Sequence, residues 1–295
     1  MKYFELPDSS NTRRVNFILF DILKNNPEWF VKDLVIEAVY GCPTYCIWNG
    51  GCVNYRQEHV SPTTIKSIFD KYNNLGISYR LTFTNRLISN NHLDDIIGNE
   101  ILQIGNNSLN GVIVANDIME NYIYHFYPKY NIIQSLCRVY QDSCDIIEHS
   151  KNTLLCLPIK YNNKWDYLSK LYNKSNLIVL VNEFCPVSSC ELMKEHYESD
   201  NRYILGLSSK PMECVYKNVG KEIIKSNSRL EHHICPDDYK NYEYIGIEHF
   251  KVNGRGRSEE RIILEYARLL VKESYSALFF EEVKRRLMLL NKNRI

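Results

Sequence analysis

Short apolar segments alternate with amphipathic segments along most of this chain, and this alternation constrains the fold more than any other feature. The apolar segments are rich in Val, Ile and Leu, as in "NLIVLVN" (176–182), and amphipathic stretches lie between them. Repeated strand–helix units produce a parallel sheet with right-handed crossovers. Strands are therefore predicted at residues 33–41, 77–85, 110–116, 131–136, 153–159, 176–182 and 247–253.

The segments between these strands carry helix signals. "SPTTIKSIFDKYNNLG" (61–76) has a Ser cap, Pro in the first turn and Gly as a stop signal. Further helices are predicted at 91–105 and 117–128, and a long charged helix at about 257–291.

Seven strands in a chain of 295 residues predict an α/β protein with a (β/α)8 TIM-like barrel, complete or imperfect, and a long C-terminal helix. No linker interrupts the pattern, so one barrel domain is expected over 1–295. The eighth strand is expected within 202–232, with "RYILGL" (202–207) as the best segment. An open doubly wound sheet is the alternative, although no G-x-G-x-x-G turn follows the first predicted strand.

Polar residues follow nearly every predicted strand. In a barrel the C-terminal strand ends meet at one face, where active sites lie. In strand 77–85, Arg80, Thr82 and Thr84 alternate with Leu81 and Phe83, so the polar set is expected to face the barrel axis. The candidate substrate-binding residues at this face are Asn85, Asn116, Glu183, Lys251 and Arg255.

The charge balance and the cysteine content of the chain indicate which class of partner and which cellular compartment to expect. The chain has 36 basic and 35 acidic residues, so no basic surface field favours nucleic acid. The N-terminal segment lacks a signal-peptide core, and no apolar stretch is long enough for a membrane span. We therefore expect a cytoplasmic protein without a membrane partner, acting on a small molecule or a peptide. Its ten cysteines would stay reduced there, which favours metal or redox chemistry over disulfides.

Six cysteines lie on predicted loops, most of them at one end of the sheet. Three occur in "YGCPTYCIWNGGC" (40–52), two in "NEFCPVSSC" and one in "HHICPDD". Thiolates are the ligands of iron–sulfur clusters and structural zinc. The spacing C-x3-C-x5-C resembles the C-x3-C-x2-C motif of radical S-adenosylmethionine enzymes, but its second gap is longer and no Gly-Gly-Glu follows the second predicted strand.

The last predicted strand leads into "FKVNGRGRS" (250–258). Lys251 would project from the strand end, and Gly254 and Gly256 allow a tight turn close to a ligand. Arg255 would then flank the mouth of the barrel, where its guanidinium suits a carboxylate or phosphate group. A basic turn that pairs with Glu259 and Glu260 is the alternative.

The same region, "ICPDDYKNYEYIGIEHFKVNGRGRS" (234–258), resembles the signature of the collagenase-like peptidases, the thirty-second peptidase family of unknown catalytic type. Asn253 replaces an acidic residue of that signature. The matching positions are Cys235, Gly246, Phe250, Lys251, Gly254, Arg255 and Ser258. The resemblance implies a barrel, and several such proteins bind a four-iron cluster and act in hydroxylation of tRNA or ubiquinone rather than in proteolysis.

Carried onto this chain, the resemblance implies a 4Fe-4S cluster on Cys185, Cys190 and Cys235. Cys42, which directly follows its predicted strand, is expected as the fourth ligand, and Cys46 or Cys52 would replace any one of the four that is not a ligand. The first hypothesis is therefore an iron–sulfur barrel enzyme that acts on a small molecule, nucleobase or peptide. Proteolysis itself is disfavoured, because G-x-S-x-G and H-E-x-x-H motifs are absent. A diverged radical enzyme and a metal-free barrel scaffold are the alternatives.

Overall fold

A computed structural model of the chain shows a closed barrel of eight parallel strands in chain order, which confirms the predicted (β/α)8 fold. The structure describes residues 1–50, 59–139, 153–183, 185–187, 192–208, 229–254 and 257–292. The strands are β1 (Lys2–Pro7), β2 (Leu34–Gly41), β3 (Ser78–Phe83), β4 (Gly111–Val114), β5 (Asn131–Gln134), β6 (Leu154–Cys156), β7 (Leu177–Leu180) and β8 (His249–Lys251).

Helices surround the barrel and carry local start signals. Ser61 caps the second helix by accepting from the backbone of Thr64, as the sequence predicts. Across the described ranges, no helix combines the length and apolar character needed to cross a membrane. The helices are α1 (Arg13–Asn25), α2 (Pro62–Asn73), α3 (Ile96–Ile104), α4 (Asp117–Phe126), α5 (Leu136–Val139), α6 (Trp165–Leu168), α7 (Leu192–Ile204), α8 (Tyr239–Tyr244), α9 (Glu259–Leu269) and α10 (Glu273–Lys292).

The eighth strand lies at the N-terminus, so its predicted position in 202–232 is wrong. β1 pairs with both β2 and β8 and thereby closes the ring. "RYILGL" instead forms the end of α7 and the turn after it. Because β1 precedes the strand at 33–41, the loop that carries Cys42 follows the second strand of the barrel and not the first.

The predicted helix at 257–291 is two helices, and the long C-terminal helix is the 20-residue α10. The helix is interrupted between them, because Val271 forms an antiparallel bridge with Phe30. The flanking backbone groups are paired as well, since Val31 donates to the Leu270 carbonyl at 2.9 Å and Lys272 to that of Trp29 at 2.8 Å. These hydrogen bonds replace those that a continuous helix would make.

The barrel interior divides into an apolar side and a charged side. The apolar side consists of inward residues of β2 and of β4 to β7, namely Tyr40, Ile113, Ile133, Cys156 and Ile178. The outer faces of the strands pack against the helices in a separate, larger core. Leu81 and Phe83 belong to that outer core, which confirms the predicted alternation along β3.

The charged side contains five residues that we call the interior ion cluster: Glu5, Glu37, Arg80, His249 and Lys251. Glu5 is fully buried and contacts the Arg80 guanidinium through one oxygen. Its other oxygen accepts from Lys251 Nζ at 2.9 Å. Glu37 links Arg80 to His249. Burial would raise the pKa of Glu5, but Arg80 and Lys251 outweigh burial and lower it to about 2.

We predict that Glu5→Gln destabilises the fold by about 3–5 kcal/mol, because Arg80 and Lys251 would stay buried without the carboxylate that they share. The pKa of Glu5 is lowered by folding, so its contribution is present above about pH 4.5 and is lost as the pH falls toward 2. Urea unfolding of both proteins between pH 3 and pH 7 measures this. The exposed Glu100→Gln on α3 is the control. Equal pH profiles for wild type and Glu5→Gln would contradict the prediction.

Candidate functional site

Helix α7, which we call the mouth helix, crosses the C-terminal end of the barrel. It follows β7, where Tyr197 packs against Ile159 and Leu180. Its other end reaches the loop after β2, whose Tyr45 hydroxyl donates to the Ile204 carbonyl at 2.9 Å. β7 and β3 lie opposite each other in a ring of eight strands, and a helix of 13 residues is about 20 Å long. The mouth helix therefore spans the opening of the barrel.

Asn85, a predicted ligand residue, joins the end of β3 to the mouth helix and to the loop after β2. Its side-chain amide donates to the Ile47 carbonyl at 2.9 Å and to the Asn201 carbonyl at 3.4 Å. Its backbone N–H donates to the Trp48 carbonyl at 3.0 Å. Asn116 caps α4 and donates to the Asn85 carbonyl. Both side chains thus position backbone, and ligand contact by either of them stays a prediction.

The inward side chains of β3 extend from Arg80, in the interior ion cluster, to Thr82, nearer the mouth of the barrel. Thr82 donates to Asn49 at 2.8 Å, and Thr84 directly follows the end of β3. Thr84 Oγ1 is buried and makes no hydrogen bond. Asn201 Oδ1, on the mouth helix, is likewise buried without a partner. Such atoms are unusual in native proteins and require an explanation.

A second polar group lies where β7 and β8 end. Asn182 accepts from the backbone of Asn253 at 2.6 Å and donates to Glu265 of α9 at 2.9 Å. Glu183, a predicted ligand residue, accepts from Asn253 Nδ2 at 2.9 Å and from the backbone of Cys185 at 3.2 Å. These contacts hold the Glu183 carboxylate at the β7–β8 side of the mouth.

Two adjacent histidines, His232 and His233, contact the backbone of Glu183. His232 Nε2 and His233 Nε2 lie 3.2 and 2.7 Å from the Glu183 carbonyl oxygen. Burial lowers the pKa of His232, and it lowers that of His233 to about 4, so both rings are neutral at pH 7. A neutral ring that donates from Nε2 can accept at Nδ1, as His233 does from Leu230. This explains why both rings anchor the backbone of Glu183.

Lys251 points into the barrel and contacts Glu5 and the Tyr40 ring, whose centroid lies 3.8 Å from Nζ. Its ammonium group is therefore stabilised by a buried carboxylate and by the face of an aromatic ring. Arg255, its predicted partner in binding an anion, lies outside the described residues. The anion site thus stays a prediction.

Cys42 and Cys46 lie beside each other, whereas Cys185 and Cys235 have other partners. Cys42 donates to the Thr44 carbonyl at 3.2 Å, and Cys46 lies 3.8 Å from Asp95. Burial, followed by the Cys42 thiol, raises the pKa of Cys46 well above its ordinary value. Cys185 donates to the Val187 carbonyl at 3.4 Å near the mouth helix.

Cys235, the remaining predicted ligand within the described ranges, lies beside Asp238 and Arg268, and burial raises its pKa. Among the described residues, no three His, Cys, Asp or Glu side chains group as a metal site. Cys190 and Cys52 lie outside the described residues, so the four-cysteine set itself stays a prediction.

The mouth helix and its residues Asn201 and Tyr197 were missed by sequence reasoning. One signal was present, because Tyr197, Asn201 and Ile204 recur at helical spacing and would share one face. That this face covers the barrel depends on contacts with Tyr45 and Asn85, which are distant in sequence.

Tyr45→Phe should loosen the mouth helix, because it removes the hydroxyl that holds the Ile204 carbonyl. A hydrogen bond contributes about 0.5–1.5 kcal/mol, so amide exchange in residues 199–206 should rise roughly 2- to 13-fold. Hydrogen–deuterium exchange with mass spectrometry measures this. Tyr172→Phe is the matched control, since Tyr172 is 78% exposed. Unchanged exchange in Tyr45→Phe would show that the hydroxyl does not hold the helix.

Comparisons with known proteins give one distant structural likeness. No family model matches the sequence, and no curated protein matches it. A solved structure of the U32 peptidase Mk0906 is similar to this chain with a TM-score of 0.46 and 12% sequence identity. The match covers 86% of this chain and 93% of that one. Neither an activity nor a site residue follows from it.

Proposed function

We propose that this chain is a barrel enzyme that binds a small polar molecule or a short peptide segment at its C-terminal mouth. The observation that carries the proposal is the mouth helix, which spans the opening above inward polar side chains. Active sites of TIM barrels lie at this face, and a cover that excludes water strengthens polar interactions beneath it.

The interior ion cluster sets the lower limit of the site. Glu5, Arg80 and Lys251 fill the charged side of the interior, and all three are less than a tenth exposed. Tyr40 fills the space beside them, with Lys251 over its ring. The proposed ligand position is therefore between this layer and the mouth helix.

The residues around that space suit orientation of a polar ligand. Thr84, just beyond β3, and Ser135, just beyond β5, carry hydroxyl groups. Ala115, just beyond β4, lies between them, so little side-chain volume fills this side. On the opposite side, Glu183 offers a carboxylate whose position is fixed by Asn253. A carboxylate held in this way can act as a general base or can bind an N–H group. Glu183 is accordingly our candidate for proton transfer.

We predict that Ala115→Phe prevents ligand binding at the mouth, because the larger side chain fills the space beside Thr84. Wild-type protein would be dialysed against a mixture of polar metabolites and short peptides, and the retained molecules identified by mass spectrometry. The exposed Ser175→Phe serves as the control, and unfolding midpoints confirm that all proteins are folded. Retention by wild type and by Ser175→Phe, but not by Ala115→Phe, is expected. Equal retention by all three would refute the proposal.

An iron–sulfur enzyme is the second candidate. The cysteine positions and the resemblance of residues 234–258 favour it, whereas the separate surroundings of Cys42, Cys185 and Cys235 do not. The radical-enzyme alternative loses one argument, because its three-cysteine loop follows β2. A metal-free scaffold is the outcome if neither iron nor a retained molecule is found.

Anaerobic purification followed by iron and sulfide analysis tests this candidate. A bound cluster should give about four iron and four sulfide per chain, and Cys235→Ser should lower both. Cys156→Ser is the control, because Cys156 lies inside the barrel beside Lys251 and Glu5 and is no proposed ligand. Negligible iron in wild type would eliminate the cluster.

A further inference from the structure

We infer that Thr84 Oγ1 and Asn201 Oδ1, which we call the acceptor pair, bind a neutral N–H group of the ligand, such as a primary carboxamide. This inference rests on the proposed function of the mouth and names the chemistry of its ligand. Neither residue is among the candidate substrate-binding residues named from the sequence.

The first observation is that both atoms lack a hydrogen-bond partner although their residues are buried. Thr84 is 4% exposed and Asn201 is 1% exposed. The cost of burying such atoms is avoided when a partner binds them. Val at 84 or Leu at 201 would avoid that cost without a ligand. The presence of two polar atoms here is therefore explained if a bound molecule supplies the hydrogen-bond donors that the protein does not.

The second observation is that the two residues are neighbours across the mouth. The point where a Cβ on Gly50 would stand lies 2.5 Å from the Asn85 nitrogen and 2.6 Å from Asn201 Oδ1. Asn201 Oδ1 therefore lies beside the Thr84–Asn85 peptide group. The same contact explains glycine at position 50, because any side chain there would strike both elements.

The third observation concerns charge and hydrogen-bond direction. An Asn side-chain oxygen only accepts, and a Thr hydroxyl accepts as well as donates. In the orientation that the structure gives the Asn201 amide, a ligand carboxylate would place oxygen against oxygen. A cation would be buried beside two uncharged acceptors, which costs more than burying a neutral amide. A carboxamide carries two N–H donors, one for each acceptor.

Nicotinamide and nicotinate provide a matched pair of probes, since they differ only in carboxamide against carboxylate. Binding is measured by titrating the isotope-labelled protein and following backbone amide signals by NMR. We expect nicotinamide to shift signals of residues near 84 and 201, and nicotinate to bind at least roughly tenfold more weakly. Equal binding of the two probes, or preference for nicotinate, would overturn the inference.

Thr84→Val tests the hydroxyl itself, because it keeps the shape of the side chain and removes the polar atom. Nicotinamide binding should weaken roughly 5- to 100-fold, while the protein without ligand should be no less stable than wild type. Asn201→Leu is a second variant with the same expectation. Thr153→Val, at the start of β6, is the control and should bind as wild type does.

Binding of nicotinamide that Thr84→Val leaves unchanged would refute the acceptor pair, as would absence of binding. A Thr84→Val protein that is less stable without ligand would show that a water molecule already occupies the site. The retention experiment with Ala115→Phe does not depend on either atom. If it succeeds while the probes fail, the mouth site stands and only the assignment of its ligand chemistry is wrong.

Discussion

The barrel interior is organised around one buried carboxylate, that of Glu5, which pairs with Arg80 from β3 and Lys251 from β8, while Glu37 supplies a second anion to Arg80. A buried ion group of this kind is costly to form and more costly to break, because each unpaired charge would remain in an apolar interior. It links β1 to β3 and β8, which are far apart in sequence. It also leaves Lys251 bound inside the barrel, so the polar chemistry of the mouth depends on other side chains.

The interior ion cluster also explains which part of the fold could be predicted from sequence. The strands at 77–85 and 176–182 are apolar on the face toward the helices, and the prediction found them. β1 reads "KYFELP", where only Phe4 and Leu6 face the helix layer and the inward Glu5 interrupts the apolar run. An ion group in the interior thus hides a strand from any search for apolar segments. The break before α10 was missed for a related reason, since the Phe30–Val271 bridge is a tertiary contact.

The candidate site could be predicted in location but not in composition. Strand ends predict that a site lies at the C-terminal face, and the inward direction of Arg80 and Thr82 followed from alternation. The sequence could not distinguish polar residues that hold backbone from those that await a ligand. The Asn85 and Asn116 side chains hold backbone groups, whereas Thr84 Oγ1 and Asn201 Oδ1 are buried without a hydrogen-bond partner. That difference arises from hydrogen bonds between distant segments.

Closure of the ring by β1 and β8 has a consequence for synthesis of the protein. Glu5 and Lys251 are separated by 246 positions, so the first strand must wait for nearly the whole chain before its second neighbour exists. Until then one edge of β1 exposes unpaired backbone, and such edges invite pairing with other chains. Arg80 emerges from the ribosome much earlier, so it can neutralise Glu5 while the nascent barrel is still open. The order of the two cations along the chain thus matches the order in which the growing polypeptide needs them.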